Sequence, residues 1–168
     1  MISPTVRSTL YVVFVLGVLL LYIPWQLLRL GEGVAASLSV LTTYSGGLLF
    51  LAGMVLAFSG VYYLVRRGEG TLWPFDPPHR LVVAGPYAHL QHPILLGVLL
   101  MAGGEALWVS SLTLCFYALL LVVLVNLYVV YIEEPGLEKR FGADYRAYQA
   151  AVPRWFPFPR RHATTPLE

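Results

Sequence analysis

Charge is what this chain has least of. Only 12% of its 168 residues are Asp, Glu, Lys or Arg, against roughly 25% in a soluble domain. With 58% hydrophobic residues and a mean hydropathy of +0.70, the chain is suited to a bilayer rather than to water. A net charge of +2 is too small to argue for a nucleic-acid partner. The basic residues sit in short clusters near the ends of apolar runs, which suits anionic headgroups. The single cysteine, Cys115, cannot form an internal disulfide, so cysteine usage says nothing about compartment. No internal repeat, low-complexity segment or metal-ligand pattern stands out.

What is present is four apolar runs, Thr9 to Leu28, Leu38 to Val65, Pro93 to Val109 and Leu112 to Ile132. A membrane span needs about 20 apolar residues, with a range of roughly 17 to 25. The expectation is an all-α integral membrane bundle of about four transmembrane helices, in one membrane domain, 1–168. The first run resembles a signal peptide. It is longer than such an apolar region, and Pro24, Trp25 and Arg29 precede any cleavage site, so a retained anchor is expected. Only "VSS" separates the third and fourth runs, which makes them a tight hairpin. Beyond the fourth, Leu137, Phe141, Tyr145, Tyr148 and Val152 recur at helical spacing and predict an amphipathic helix over about 135–152.

Lys and Arg in short loops set orientation. Arg66, Arg67 and Arg80 lie in segment 66–92, and Lys139, Arg140, Arg146, Arg154, Arg160 and Arg161 in the tail. Both termini and segment 66–92 are therefore expected on the cytoplasmic side of an inner or plasma membrane. That segment is rich in Gly and Pro, hence irregular. It also carries Leu72, Trp73, Phe75, Leu81, Val82 and Val83, which suits packing against the bundle or lying in the interface.

The polar residues gather at this same end. His92-Pro93 opens the third run, and Pro favours the first helical position. His92 is then the N-cap, and the free N–H groups behind it suit a carboxylate or phosphate. The bland alternative is a plain cap. The hairpin returns Glu133 and Glu134 beside His92, as ligand groups or as acids complementing a helix start at Pro135. Glu105 and Asn126 lie deeper: the first within a span or near the far interface, the second as an inter-helix bond. Gly46, Gly53, Ala57 and Gly60 share one face of the second run, for close helix packing or for a flat ligand. Such a pocket complements a zwitterionic nucleoside such as S-adenosylmethionine, with aromatic faces for its sulfonium.

"PFDPPHRLVVAGPYAHLQHPILLG" followed by "EEPGLEKRFGADYRAYQAAVPRW" resembles the isoprenylcysteine carboxyl methyltransferase and phospholipid methyltransferase superfamily, from about Gly68 to Trp155. The resemblance implies an integral membrane helical fold, S-adenosylmethionine as cofactor, and a lipid or lipid-like methyl acceptor carrying a carboxylate or an amine. It implies cofactor binding at His92, Pro93, Gly97, Glu133 and Glu134, with Tyr87, Leu90 and Gln91 of the same stretch as further candidates. Gln91 stands where the family commonly has Arg, which removes a carboxylate clamp; Leu95 stands where it often has Tyr. For a carboxylate acceptor, Arg154 or Arg80 would orient the anion. For an amine, Glu133, Glu134 or His89 would take the proton. The catalytic candidates are thus Arg154, Glu134 and His89. No obligatory protein partner is implied. The rival class is a non-enzymatic membrane protein, either a small-ligand carrier or a subunit of a membrane complex.

The charge bias yields a direct test of orientation. Cysteine placed at Gly33 is expected to react with an impermeant reagent from outside, and cysteine at Gly70 is not. The reverse labelling would overturn the orientation.

Overall fold

The computed structural model describes residues 10, 13–30, 40–68 and 79–155. It is helical, with no strand among the described residues. The chain is an integral membrane helical bundle. Helix α1 runs Val13–Leu30, α2 Val40–Arg67, α3 Pro93–Val109 and α4 Leu112–Phe141, and a short α5 spans Ala143–Ala151. Of these, α1, α2 and α4 are long and apolar enough to cross a membrane, and α3 is a shorter apolar helix. Their outer faces carry bare apolar side chains, such as Leu48, Val55 and Leu119, as lipid-facing surfaces must. Leu72, Trp73 and Phe75 of the expected packed loop, and Thr9 of the first run, lie outside the described residues.

The α2–α3 pair is the tightest contact, and its cause is glycine. The helices run antiparallel with glycine facing glycine. A Cβ on Gly53 would lie 2.6 Å from the Gly97 carbonyl oxygen, and one on Gly46 would lie 2.8 Å from that of Gly104. At Gly60 it would meet Ile94 at 2.7 Å. In lipid no hydrophobic force drives helices together, so close backbone packing has to do it. The small-residue face of α2 is thus filled by α3, and the flat-ligand alternative for it fails.

The hairpin is as tight as "VSS" suggests. Ser110 adopts a left-handed conformation at φ 57°. Ser111 caps α4, its hydroxyl accepting the Leu114 N–H at 3.3 Å. Helix α1 joins through the Tyr117 hydroxyl, which donates to the Leu19 carbonyl at 2.8 Å. That carbonyl lies in a π-helical turn, Val18–Tyr22. The apolar core combines Leu20 of α1, Ala57 of α2, Val98, Met101 and Ala102 of α3, and Leu121 of α4.

The expected single amphipathic helix over about 135–152 is corrected. Helix α4 continues through a π-turn, Val129–Glu133, to Phe141, so Pro135 starts no new helix. Gly142, at φ 55° and ψ −119°, then breaks the chain, a conformation that favours glycine. The five stripe residues still cluster. Tyr145, Tyr148 and Val152 are buried against Leu137, Phe141 and the loop residue Leu81. They meet because α5 folds back on the end of α4, not because they share one helix face.

Gly53→Ala or Gly104→Ala would push a methyl into backbone and is expected to cost about 1–3 kcal/mol, as overpacking does. Gly47, with nothing within 4 Å of an added Cβ, should accept alanine without loss. Thermal unfolding in detergent reads the difference; equal midpoints for all three variants would contradict the close packing.

Candidate functional site

The loop between α2 and α3 enters α3 through a 3-10 turn, Gly85–Ala88. Two ties fix this entry to α5. The Tyr148 hydroxyl donates to the Tyr87 carbonyl at 2.7 Å and to that of Leu90 at 3.3 Å. Gln91 donates its side-chain amide to the Val152 carbonyl at 2.6 Å and its backbone N–H to that of Pro153 at 3.0 Å. Where a longer cation would reach outward, this glutamine is spent holding the tail.

His92 sits at the N-cap of α3, with Pro93 fully buried at the first helical position. The expected side-chain cap is not made. The imidazole instead turns to the end of α4. Its Nδ1 lies 3.2 Å from Glu133 Oε1, and its Nε2 lies 3.6 Å from Glu134 Oε1. The second distance is too long for a hydrogen bond. Glu134 is held by Arg154: Nε donates to Oε1 at 2.6 Å, and a terminal nitrogen donates to Oε2 at 2.9 Å. Such a two-pronged clamp fixes geometry as well as charge. Beside them the Trp155 ring lies 5.7 Å from the His92 ring, and its indole N–H donates to Asn126 Oδ1 at 3.3 Å.

Within this cluster His92 and Glu134 are buried, Glu133 and Arg154 are partly exposed, and the polar atoms are incompletely satisfied. The His92 side chain is 2% exposed. Its Nε2, Glu133 Oε2 and Gln91 Oε1 are buried with no hydrogen-bond partner among the described residues. A buried polar atom left unmatched costs about 1–3 kcal/mol, and such atoms in one neighbourhood mark a place where donors from a ligand or water are accommodated. The Tyr87 phenol is pushed well above its ordinary value by burial first, then by the charge of Glu133. The Tyr145 phenol is pushed up by burial, then by Glu134 and Glu133. Both phenols thus stay neutral and keep their O–H as a donor.

The structure therefore brings together His92, Glu133, Glu134 and Arg154, and places the backbone of Tyr87, Leu90 and Gln91 at their edge. His89 makes none of these contacts and is exposed. Gly97 faces α2, where a Cβ would also meet Ala57 N at 2.7 Å, so its bareness serves helix packing. Glu105 lies partly buried one turn before the end of α3, outside the cluster. Sequence reasoning overlooked Tyr148 as a tie and Trp155 as a neighbour of His92. Their only sequence signals were membership of the helical stripe and of "VPRW".

An apolar helical bundle with a His–Glu–Glu–Arg cluster gathered at one helix mouth defines an integral membrane protein with its polar groups concentrated at the end of its spans. The chain belongs to the phospholipid methyltransferase family, whose pattern matches residues 41–144. The family makes it a membrane methyltransferase. No curated protein matches the chain. His92, Glu133 and Glu134 fall within the matched residues; Tyr148, Arg154 and Trp155 lie beyond them.

Tyr148→Phe keeps the ring and removes one hydroxyl shared by two carbonyls. It is expected to lower stability by about 1 kcal/mol and to speed amide exchange across residues 85–92. Unchanged exchange there would show that the tie does not hold the entry of α3.

Proposed function

We propose that this protein transfers a methyl group from S-adenosylmethionine to an amine-bearing lipid at the cytoplasmic face of the membrane. The observation that carries the acceptor class is the Arg154–Glu134 clamp. It spends the guanidinium of the cluster on a carboxylate of the chain itself. What remains unmatched, Glu133 Oε2 and His92 Nε2, is suited to N–H donors and positive charge rather than to an anion. A carboxylate acceptor would meet Glu133 while Arg154 is already engaged by Glu134.

The donor fits the same residues. When bound, S-adenosylmethionine supplies an electrophilic methyl group on a sulfonium. Glu133 and His92 would accept hydrogen bonds from its ammonium or ribose, and the start of α3 offers free backbone N–H groups to its carboxylate. An acceptor amine attacks with its lone pair, so its ammonium must first lose a proton, and Glu133 Oε2 is placed to take it. The protein's remaining task is alignment and exclusion of water. The lipid enters laterally between helices.

Two features support the cytoplasmic placement and both termini on that side. Arg66 and Arg67 close the last turn of α2, at the end where Gly60 packs on Ile94 beside the cluster. Lys139 and Arg140 lie in the last turn of α4. These are the basic ends that the positive-inside bias keeps in the cytoplasm.

Calorimetry in detergent is expected to show S-adenosylmethionine binding. Glu133→Gln should weaken it about tenfold, the worth of one charge-assisted hydrogen bond. Transfer of labelled methyl is expected to lipids with an amine headgroup and not to fatty carboxylates. Transfer to the carboxylate alone would overturn the amine reading, and unchanged binding by a folded Glu133→Gln would remove Glu133 from the site.

A further inference from the structure

Trp155 is left over from the account above. Its indole N–H is tied to Asn126 on α4, the polar side chain of an otherwise apolar stretch, "LLLVVLVNLY". Asn126 lies two turns before Glu133 along the same helix, roughly 10 Å toward the membrane interior at 1.5 Å rise per residue. The bond therefore holds the indole on the membrane side of the cluster, tilted 45° to the His92 ring. The ring is partly exposed, not sealed in the core. His92 is the shared neighbour: Glu133 Oε1 lies 3.2 Å from its Nδ1, and the indole centroid lies 5.7 Å from the centre of its ring. A headgroup nitrogen reaching Glu133 therefore arrives at the same imidazole that the indole neighbours.

The chemistry of the proposed reaction gives this placement a use. Methyl transfer to an amine forms an N–C bond and breaks the S–C bond. The electron pair of that bond stays on sulfur, and one N–H proton leaves to Glu133. The nitrogen becomes poorer in hydrogen-bond donors while its protonated form keeps its positive charge. Glu133 loses its directional contact as methyl groups replace N–H. An indole face does the opposite, since it attracts a cation through its quadrupole and needs no donor hydrogen. On the amine reading, we infer that Trp155, held by Asn126, is the specificity-determining residue that lets the site hold methylated ammonium groups. Glu133 recognises the unmethylated amine, and Trp155 recognises the methylated one.

The test measures binding, with the full chain in detergent and S-adenosylhomocysteine present. The probes are dihexanoyl phospholipids with a primary-amine, a trimethylammonium or a glycerol headgroup. Wild type is expected to bind the first two more tightly than the third. Trp155→Leu is expected to weaken the trimethylammonium lipid by about threefold or more relative to the primary amine, as the loss of a cation–π contact does. Asn126→Leu keeps the indole but releases it, and should lower the same ratio. It also serves if Trp155→Leu does not fold. If these variants weaken both ammonium lipids equally, or neither, Trp155 is a membrane anchor only and the inference is overturned while the amine reading stands. If wild type binds neither ammonium lipid better than the glycerol lipid, the amine reading fails and this inference with it.

Discussion

Backbone touching backbone is the constraint on which the rest of this molecule hangs. Helix α3 is short for a span and lacks a polar stripe to orient it. What places it is contact with α2 through Gly46, Gly53 and Gly60 against Gly104, Gly97 and Ile94. Side chains of any size there would hold the two axes apart. Because this packing runs the full length of α3, it fixes where Pro93 begins the helix, and so the height of His92. The Ser110–Ser111 turn then leaves α4 little choice of path. The end of α4 must return beside the end of α3, and the two glutamates come back to the histidine.

Electrostatics imposes the second condition. Carboxylates at a membrane boundary are tolerated when paired. Glu134 meets this with a guanidinium from the tail, and Glu133 meets it in part with His92. A buried ion pair is weak evidence for stability, since apolar substitutes of like volume often do as well. Its retention is better explained by position: the clamp holds one carboxylate still while its neighbour keeps an oxygen unmatched. The tail is drawn in by the same pairing. Gln91, Tyr148 and Arg154 bind loop, α5 and the end of α4 into one unit.

Much of this was legible in the sequence. Run lengths gave the helices, because backbone groups in lipid are satisfied within a helix and only apolar side chains face outward. "VSS" gave the hairpin, and the hairpin gave the meeting of His92 with Glu133 and Glu134. Three things were not legible. The stripe from Leu137 to Val152 keeps helical spacing across Gly142, so periodicity alone could not show that the glycine breaks it. His92 stands where a cap stands, yet a side chain's direction depends on what lies beside it, and the carboxylates lie beside it. Arg154 looked available for a substrate anion because a sequence cannot show that Glu134 reaches it first.

The π-turn bears on how two adjacent glutamates come to lie near one imidazole, Glu133 bonded to it and Glu134 held beside it by Arg154. In an α-helix of 3.6 residues per turn, neighbouring side chains diverge by about 100°. One of the pair would then face lipid or the outer surface. The turn Val129–Glu133 carries its hydrogen bonds one residue further, so successive side chains diverge less. Glu133 lies 3.2 Å from Nδ1 of His92, and Glu134 lies 3.6 Å from its Nε2. The same wide turn lets α4 remain a single rod, which keeps Asn126 and the glutamates in fixed relation along one axis. A kink there would have separated the membrane-side wall from the charged groups. An unbroken α-helix would have kept the axis and turned one of the carboxylates away.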